Sequence, residues 1–302
     1  MYISRAKTDR EKSLQKVELS FERQSPFRKR PKARTHRNVT EYSKQIIRTF
    51  EEQSFGQMLS TINTYALARR SSNSESQLTS LWSSVEVLLG DPPRGQPRII
   101  YYAKLLVPCV CLRHVRRQTI AVYDEMLVSY RRKFARLVSE DRLSPAPDQH
   151  TKFASVLYMK ENEDLRTELC KLCEKNPLAL HRLWKLHRDF SSPQKITDAI
   201  NGHENRVFWQ ICRIYRARNR VVHIGDTPSI MDSLVLNAAE YYTAAIATVI
   251  NRAKQQTEPA SLEQVVAEIG IEYQLYKRHF ESRKSEPQLS QADLAKLVVS
   301  KH

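Results

Sequence analysis

Glycine is scarce in this chain, with 6 in 302 residues, and strand-type alternation of polar and apolar residues is equally rare. Both shortages favour an all-α fold. The same scarcity removes a chemistry: there is no glycine-rich loop to cradle a nucleotide's phosphates. No nucleophile elbow presents a serine. Five cysteines, an odd number without framework spacing, fit reduced thiols in a cytoplasmic protein. No uninterrupted apolar run is expected to span a bilayer, and the charged N-terminus does not read as a secretion signal.

Positive charge is abundant. Forty-nine Lys and Arg against 33 Asp and Glu leave a net charge of +16, with an isoelectric point near 9.7. Such an excess suits a polyanionic partner, nucleic acid ahead of membrane, because clustered cations neutralise phosphates. The length allows a substantial core and one or two domains.

Taken in order, residues 1–40 stand apart as a basic arm. Arg28, Lys29 and Arg30 within it are candidates for RNA contact. Residues 17–21 alternate like a short strand, so the arm is alternatively the remnant of an upstream domain. Residues 41–255 read as one helical domain with an insertion around 98–200, and 256–302 as a helical extension. Helical spacing runs through 38–70. Ser74 with Gln77 resembles a capping box, and the helix it opens ends at Gly90 and the prolines beyond. A long helical stretch over 98–140 should break near Pro108. Its arginines, with Arg116 and Arg117 among them, are either a solvated face or an RNA-binding one. Residues 143–148 read as a loop. Shorter helices follow over 151–200, broken at Pro177 and Pro193. A central helix is expected at 204–224, another opening at Pro228 behind Thr227, and two more at 260–282 and 289–299. Cys170, Cys173, His181 and His187 carry zinc-ligand chemistry. Their spacing is shorter than that of a finger and their pattern is helical, so buried thiols are the better reading and no metal is assigned.

The chain is organised around residues 205–226. Val207, Phe208, Ile211, Ile214, Tyr215 and Val222 form one apolar stripe. Arg218 falls in the middle of it, while Arg213, Arg216 and Arg220 fall opposite. A charge on an apolar stripe is costly unless paired or placed at a contact surface. Arg218 is therefore either a structural arginine on a buried carboxylate or a phosphate-binding arginine at a cleft or dimer seam. Asn219 and His223, four apart, share the edge of the stripe, and Gly225 stops the helix. Glu86 holds a similar edge position on its own helix.

The hexapeptide from Arg218 to His223, reading Arg-Asn-Arg-Val-Val-His, resembles the Arg-x4-6-His motif of the HEPN superfamily in its Arg-Asn-x-x-x-His form. Arg216 also fits the looser spacing. The flanks Ile214-Tyr215 and Ile224-Gly225 resemble the family's motif helix. The stretch holding Trp82 and Glu86 resembles the Trp-Glu helix of Apea-like members. The likeness covers roughly residues 40–255. It implies a helical bundle that dimerises so that two motifs face one cleft. Many members are metal-independent endoribonucleases of phage defence, toxin–antitoxin or RNA-guided systems, whereas others are silent binding modules.

The residue chemistry agrees with the first kind. RNA carries its own nucleophile, the 2′-hydroxyl. A histidine exchanges a proton near neutrality, and an arginine forks onto the phosphate as charge develops. Arg218, Asn219 and His223 are thus the catalytic candidates, Glu86 and Tyr215 the supporting ones. Arg28, Lys29, Arg30, Arg116, Arg117 and Arg220 are the candidates for binding RNA. No cofactor is needed. The expected partners are RNA, a second or further copy of the chain, and a regulatory protein or nucleic acid that gates the activity, with no membrane.

Overall fold

The computed structural model describes residues 49–143, 146–226 and 228–298. Their regular structure is helical, apart from one isolated bridge between Phe50 and Ala260, so the protein is all-α. The basic arm with Arg28, Lys29 and Arg30, the alternating residues 17–21, and Thr227 lie outside the described residues.

Local sequence explains most boundaries. Helix α1 (Glu52–Arg70) is followed by α2 (Ser74–Leu89). The cap of α2 is Asn73, whose side chain accepts the Ser76 amide at 2.7 Å. The expected cap, Ser74, is instead the first helical residue, and its hydroxyl donates to Asp232. Asparagine caps as well as serine does, which is why the boundary moved by one. Gly90 ends α2 where expected, with φ of 69°, a positive value that glycine takes without steric cost.

Helix α3 (Arg98–Cys111) runs through Pro108, and the break comes at residues 112–113. Proline lacks an N–H, but its carbonyl still accepts, here from Leu112 at 3.0 Å, so the next turn closes before the helix stops. Helix α4 (His114–Val138) holds a second interruption at Arg131, with φ of 43°. Helices α5 (Gln149–Tyr158), α6 (Glu163–Leu172) and α7 (Pro177–Phe190) follow, the last capped by Asn176.

Helix α8 (Pro193–Ile224) is the central element, and it starts eleven residues before its expected beginning. Pro193 is suited to a first turn, where its missing donor costs nothing. Helix α9 (Met231–Ala253) begins at Met231, not at Pro228; Pro228 makes a turn whose carbonyl accepts the Met231 amide. Helices α10 (Leu262–Glu281) and α11 (Gln291–Val298) complete the chain.

The described residues divide into two compact units, the first within 49–106 and 208–266, the second within 107–207 and 267–298. The stretch read as an insertion therefore shares a unit with most of the C-terminal extension. In the first unit α2 packs on α1 and α9. Leu78, Leu81, Trp82, Leu88, Val249 and Ala245 are buried there, and Tyr242 stacks on Tyr65 while donating to the Thr61 carbonyl. By length and composition alone α9 is long and apolar enough to cross a membrane. Half of its apolar window is buried inside the protein, as the core helix of a folded unit requires. In the second unit α5 touches α4, α6, α7 and α11. Phe134, Phe153, Tyr158 and Phe190 fill its centre with edge-to-face ring contacts.

Candidate functional site

The second half of α8, from residue 208, belongs to the first unit. Ile211, Ile214 and Ala217 are buried there, Tyr215 and Arg218 are half-buried, and Arg213, Arg216 and Arg220 are exposed. The stripe is thus largely as read, with Cys212 and Ala217 added to it. Val222 departs from it: it is 47% exposed, since the helix is near its end and has left the core. His223 and Ile224 are exposed with it.

Arg218 does not lie loose on the apolar face. One Nη atom sits 3.5 Å from Glu86 Oε2, with the two side chains 20% and 22% exposed. Its other Nη donates to Asn219 Oδ1 at 3.1 Å. Glu86 is held in turn by Trp82, whose Nε1–H donates to Oε1 at 3.0 Å. The Trp82 ring leans on Tyr215, centroids 5.2 Å apart, and meets Tyr102 edge-on. Burial, then the Glu86 charge, push the Tyr102 hydroxyl up to about 12. Five residues singled out in the sequence (Trp82, Glu86, Tyr215, Arg218 and Asn219) are therefore one connected cluster. The carboxylate that a structural Arg218 would require is present, and it is Glu86.

The cluster has two open ends. The Arg218 Nε atom is buried and has no hydrogen-bond acceptor among the described residues. His223, one turn beyond Asn219, is exposed and makes no hydrogen bond or ion pair among the described residues. The Asn219 oxygen is turned to Arg218. Gly225 ends the helix with φ of 69°, and Arg220 pairs with Asp226.

The arginines proposed to hold RNA are placed differently. Arg116 and Arg117 belong to the second unit and are half-buried. Arg116 Nε donates to the Val298 carbonyl at 2.8 Å and Arg117 to the Val110 carbonyl. Both cap backbone, and burial lowers the Arg116 pKa. Arg131, Arg132, Lys133 and Arg136 form the exposed basic face of α4.

The zinc-type residues are scattered. Cys173 is buried with its sulfur against Met126, and His187 Nδ1 meets the Leu157 carbonyl at 2.7 Å. No group of three or more metal-type side chains lies together among the described residues. Cys170, His181 and His187 do line an open groove of about 650 Å³ with Arg166 and Trp184. One further feature had no sequence signal: His114 and His203 stack face to face, 3.4 Å between centroids. They are far apart in the chain, on α4 and α8, so only the fold brings them together.

No family model matches the chain, and neither a curated protein nor a solved structure matches it.

Proposed function

We propose that this chain is a metal-independent endoribonuclease of HEPN type, working in the cytoplasm as a homodimer or larger assembly in antiviral or toxin-like defence. The observation that carries the reading is the buried, acceptor-less Nε of Arg218, in a guanidinium steadied on two other sides by Glu86 and Asn219. A buried donor without an acceptor is costly, and a phosphate oxygen is the acceptor an arginine fork suits best.

In the reaction, His223 takes the 2′-hydroxyl proton and the 2′-oxygen attacks phosphorus. The bond to the 5′-oxygen breaks, and that oxygen receives a proton from the imidazole of the second copy. Arg218 balances the charge that gathers on the non-bridging oxygens. The products are a 2′,3′-cyclic phosphate and a 5′-hydroxyl; DNA, without the nucleophile, survives. Val222, Ile224, Ile230 and Leu236 are about half exposed or more beside the motif, apolar surface that a second copy would cover. RNA is the substrate, no cofactor takes part, and a regulatory protein or nucleic acid restrains an activity harmful to its own cell.

A second reading has one observation in its favour. The Arg218–Glu86 pair is also what a catalytically silent HEPN module, binding RNA or a partner protein, would keep as a strut. Purified protein in excess EDTA separates the two. The nuclease cuts RNA there, loses cutting with His223→Ala or Arg218→Ala while staying folded, and is little affected by Arg216→Ala. RNA retained but uncut by the wild-type protein would establish the silent module, and cutting that persists in His223→Ala would refute the site.

A further inference from the structure

We propose that Lys185 and Arg206, set around the stacked imidazoles of His114 and His203, form a phosphate-binding site in the second unit. The proposal does not depend on the nuclease reading, since none of these residues belongs to the Arg218 cluster.

The geometry comes first. The two rings are nearly parallel, 14° apart, with centroids 3.4 Å apart. A contact that close suits neutral rings, because two imidazolium ions would repel at short range. The Nε2 of His114 meets the Gln118 amide at 3.1 Å. The Nε2 of His203 is buried and has no hydrogen-bond partner among the described residues. An unsatisfied buried nitrogen is rare in a folded protein, and a bound ion is one of the few things that accounts for it.

The surroundings say of what kind. Arg206 from α8 acts on both rings and Lys185 from α7 on His114, while Arg117 from α4 acts on both with its guanidinium held on the Val110 carbonyl. No carboxylate is among the groups acting on either ring. Lys185 and Arg206 are exposed and make no ion pair among the described residues. The Arg206 guanidinium folds back along α8, where it lies 3.8 Å from the position a Cβ would take on Gly202. The neighbouring carboxylate, Glu204, is engaged elsewhere by Lys277 at 2.5 Å and Tyr273 at 3.2 Å. Burial, then the neighbouring charges, push His114 down to about 3 and His203 down to about 4.

Lys185 and Arg206 are thus left without an anion among the described residues. A phosphate fits this cluster because its oxygens can bridge a guanidinium and an ammonium while accepting from an imidazole N–H. Binding would neutralise the surrounding cations, raise both imidazole pKa values and favour proton uptake, so affinity should rise as pH falls. The phosphate belongs either to an RNA backbone or to a free phosphorylated molecule.

The test follows the histidine ring protons by NMR at constant ionic strength. Inorganic phosphate is titrated against a chloride control, and a short single-stranded RNA is titrated separately into the EDTA-treated His223→Ala protein. The site predicts saturable shifts of His114 and His203 that chloride does not produce. Affinity should fall at least tenfold in Lys185→Gln/Arg206→Gln. These are surface changes, and an unchanged melting temperature confirms the fold. His203→Phe, which keeps a stacked ring without its nitrogen, should weaken binding as well. Shifts with RNA that phosphate competes away assign the site to the RNA backbone; shifts with phosphate alone assign it to a free phosphorylated ligand. No saturable shift with either probe, or equal binding in the double variant, overturns the proposal.

Discussion

Replacing Glu86 by glutamine asks whether Arg218 is held for chemistry or for architecture. At the observed 3.5 Å, an effective dielectric near 20 makes the charge attraction about 5 kcal/mol. Desolvation of both groups cancels much of that. With about a fifth of each side chain exposed, the loss should fall between the small value of surface pairs and the 3–5 kcal/mol of fully buried ones, at about 2 kcal/mol. The glutamine oxygen still accepts from Trp82 Nε1–H, so the tryptophan keeps its place. Urea unfolding should show Glu86→Gln and Arg218→Met each lowering stability by about 2 kcal/mol, and the double variant by little more than either, because they share one interaction. Function should split them. In a His223→Ala background, Glu86→Gln removes the carboxylate that competes with phosphate and should tighten RNA binding a few-fold, whereas Arg218→Met should weaken it. With His223 restored, Glu86→Gln should slow cleavage, since the guanidinium loses its anchor. The decisive variant is the exchange Glu86→Arg/Arg218→Glu. If it regains stability and cuts RNA as well as the parent, the pair is only a strut and the reasoning fails.

Three other perturbations read the fold. His114 and His203 have depressed folded pKa values, so the unfolded chain takes up their protons first; the stability they preserve is full above about pH 6.5 and is lost as pH falls toward 4 and 3. Going from pH 6.5 to 5.5 should cost roughly 2 kcal/mol for the two rings, and His203→Phe should flatten that part of a urea-stability profile; an unchanged slope refutes it. Asp293 is fully buried and bonded to Ser290, His279 and Arg283. Burial pushes its carboxyl up, but these partners together hold it below the usual range. Its stabilisation is present above the unfolded carboxyl pKa of about 3.9 and disappears as pH drops through the lower folded value; Asp293→Asn should cost roughly 3 kcal/mol at neutral pH, read by chemical unfolding. Gly225→Ala should cost about 1 kcal/mol at φ of 69° and loosen the turn that follows His223; no change in melting temperature would mean that the left-handed turn is not needed.

How much of this was legible depends on how local each cause is. Gly90, Asn176-Pro177, the apolar spacing of α2 and Gly225 at the end of α8 act within a turn or two, so those boundaries could be read directly, whereas the start of α8 could not. Proline acted by position: the break expected at Pro193 is there, with Pro193 opening α8, whereas Pro108 lies within α3 and the break comes only after Cys111, because the missing donor is only one of a proline's properties. Arg218 on an apolar stripe was legible as an anomaly, and Glu86 as a polar residue at the edge of its own helix. That the two meet was not legible, because pairing across 132 positions needs the packing of α2 beside α8. The stacked histidines show the same limit more sharply, since neither His114 nor His203 interrupts any pattern in its own helix.

Under the proposed nuclease reading, the cluster also bears on why one copy of this chain should be a poor catalyst. Arg218 is fixed from two sides, by Glu86 and by Asn219, which is the preorganisation a charge-stabilising group needs. His223 has the opposite character: it is exposed, near the end of α8, and free of hydrogen bonds among the described residues. A general base must reach within about 3 Å of the proton it takes, and an unrestrained imidazole spends little time there. A second surface laid against Val222, Ile224 and Ile230 would restrict that ring and bring a second guanidinium within reach of the same phosphate. Cleavage should therefore rise with the square of protein concentration below the dimer dissociation constant and linearly above it. Ile224→Glu, which leaves the Arg218 cluster untouched, should abolish both dimerisation, measured by sedimentation, and the cutting. A variant that stays monomeric and still cuts at the parental rate would show that one copy suffices.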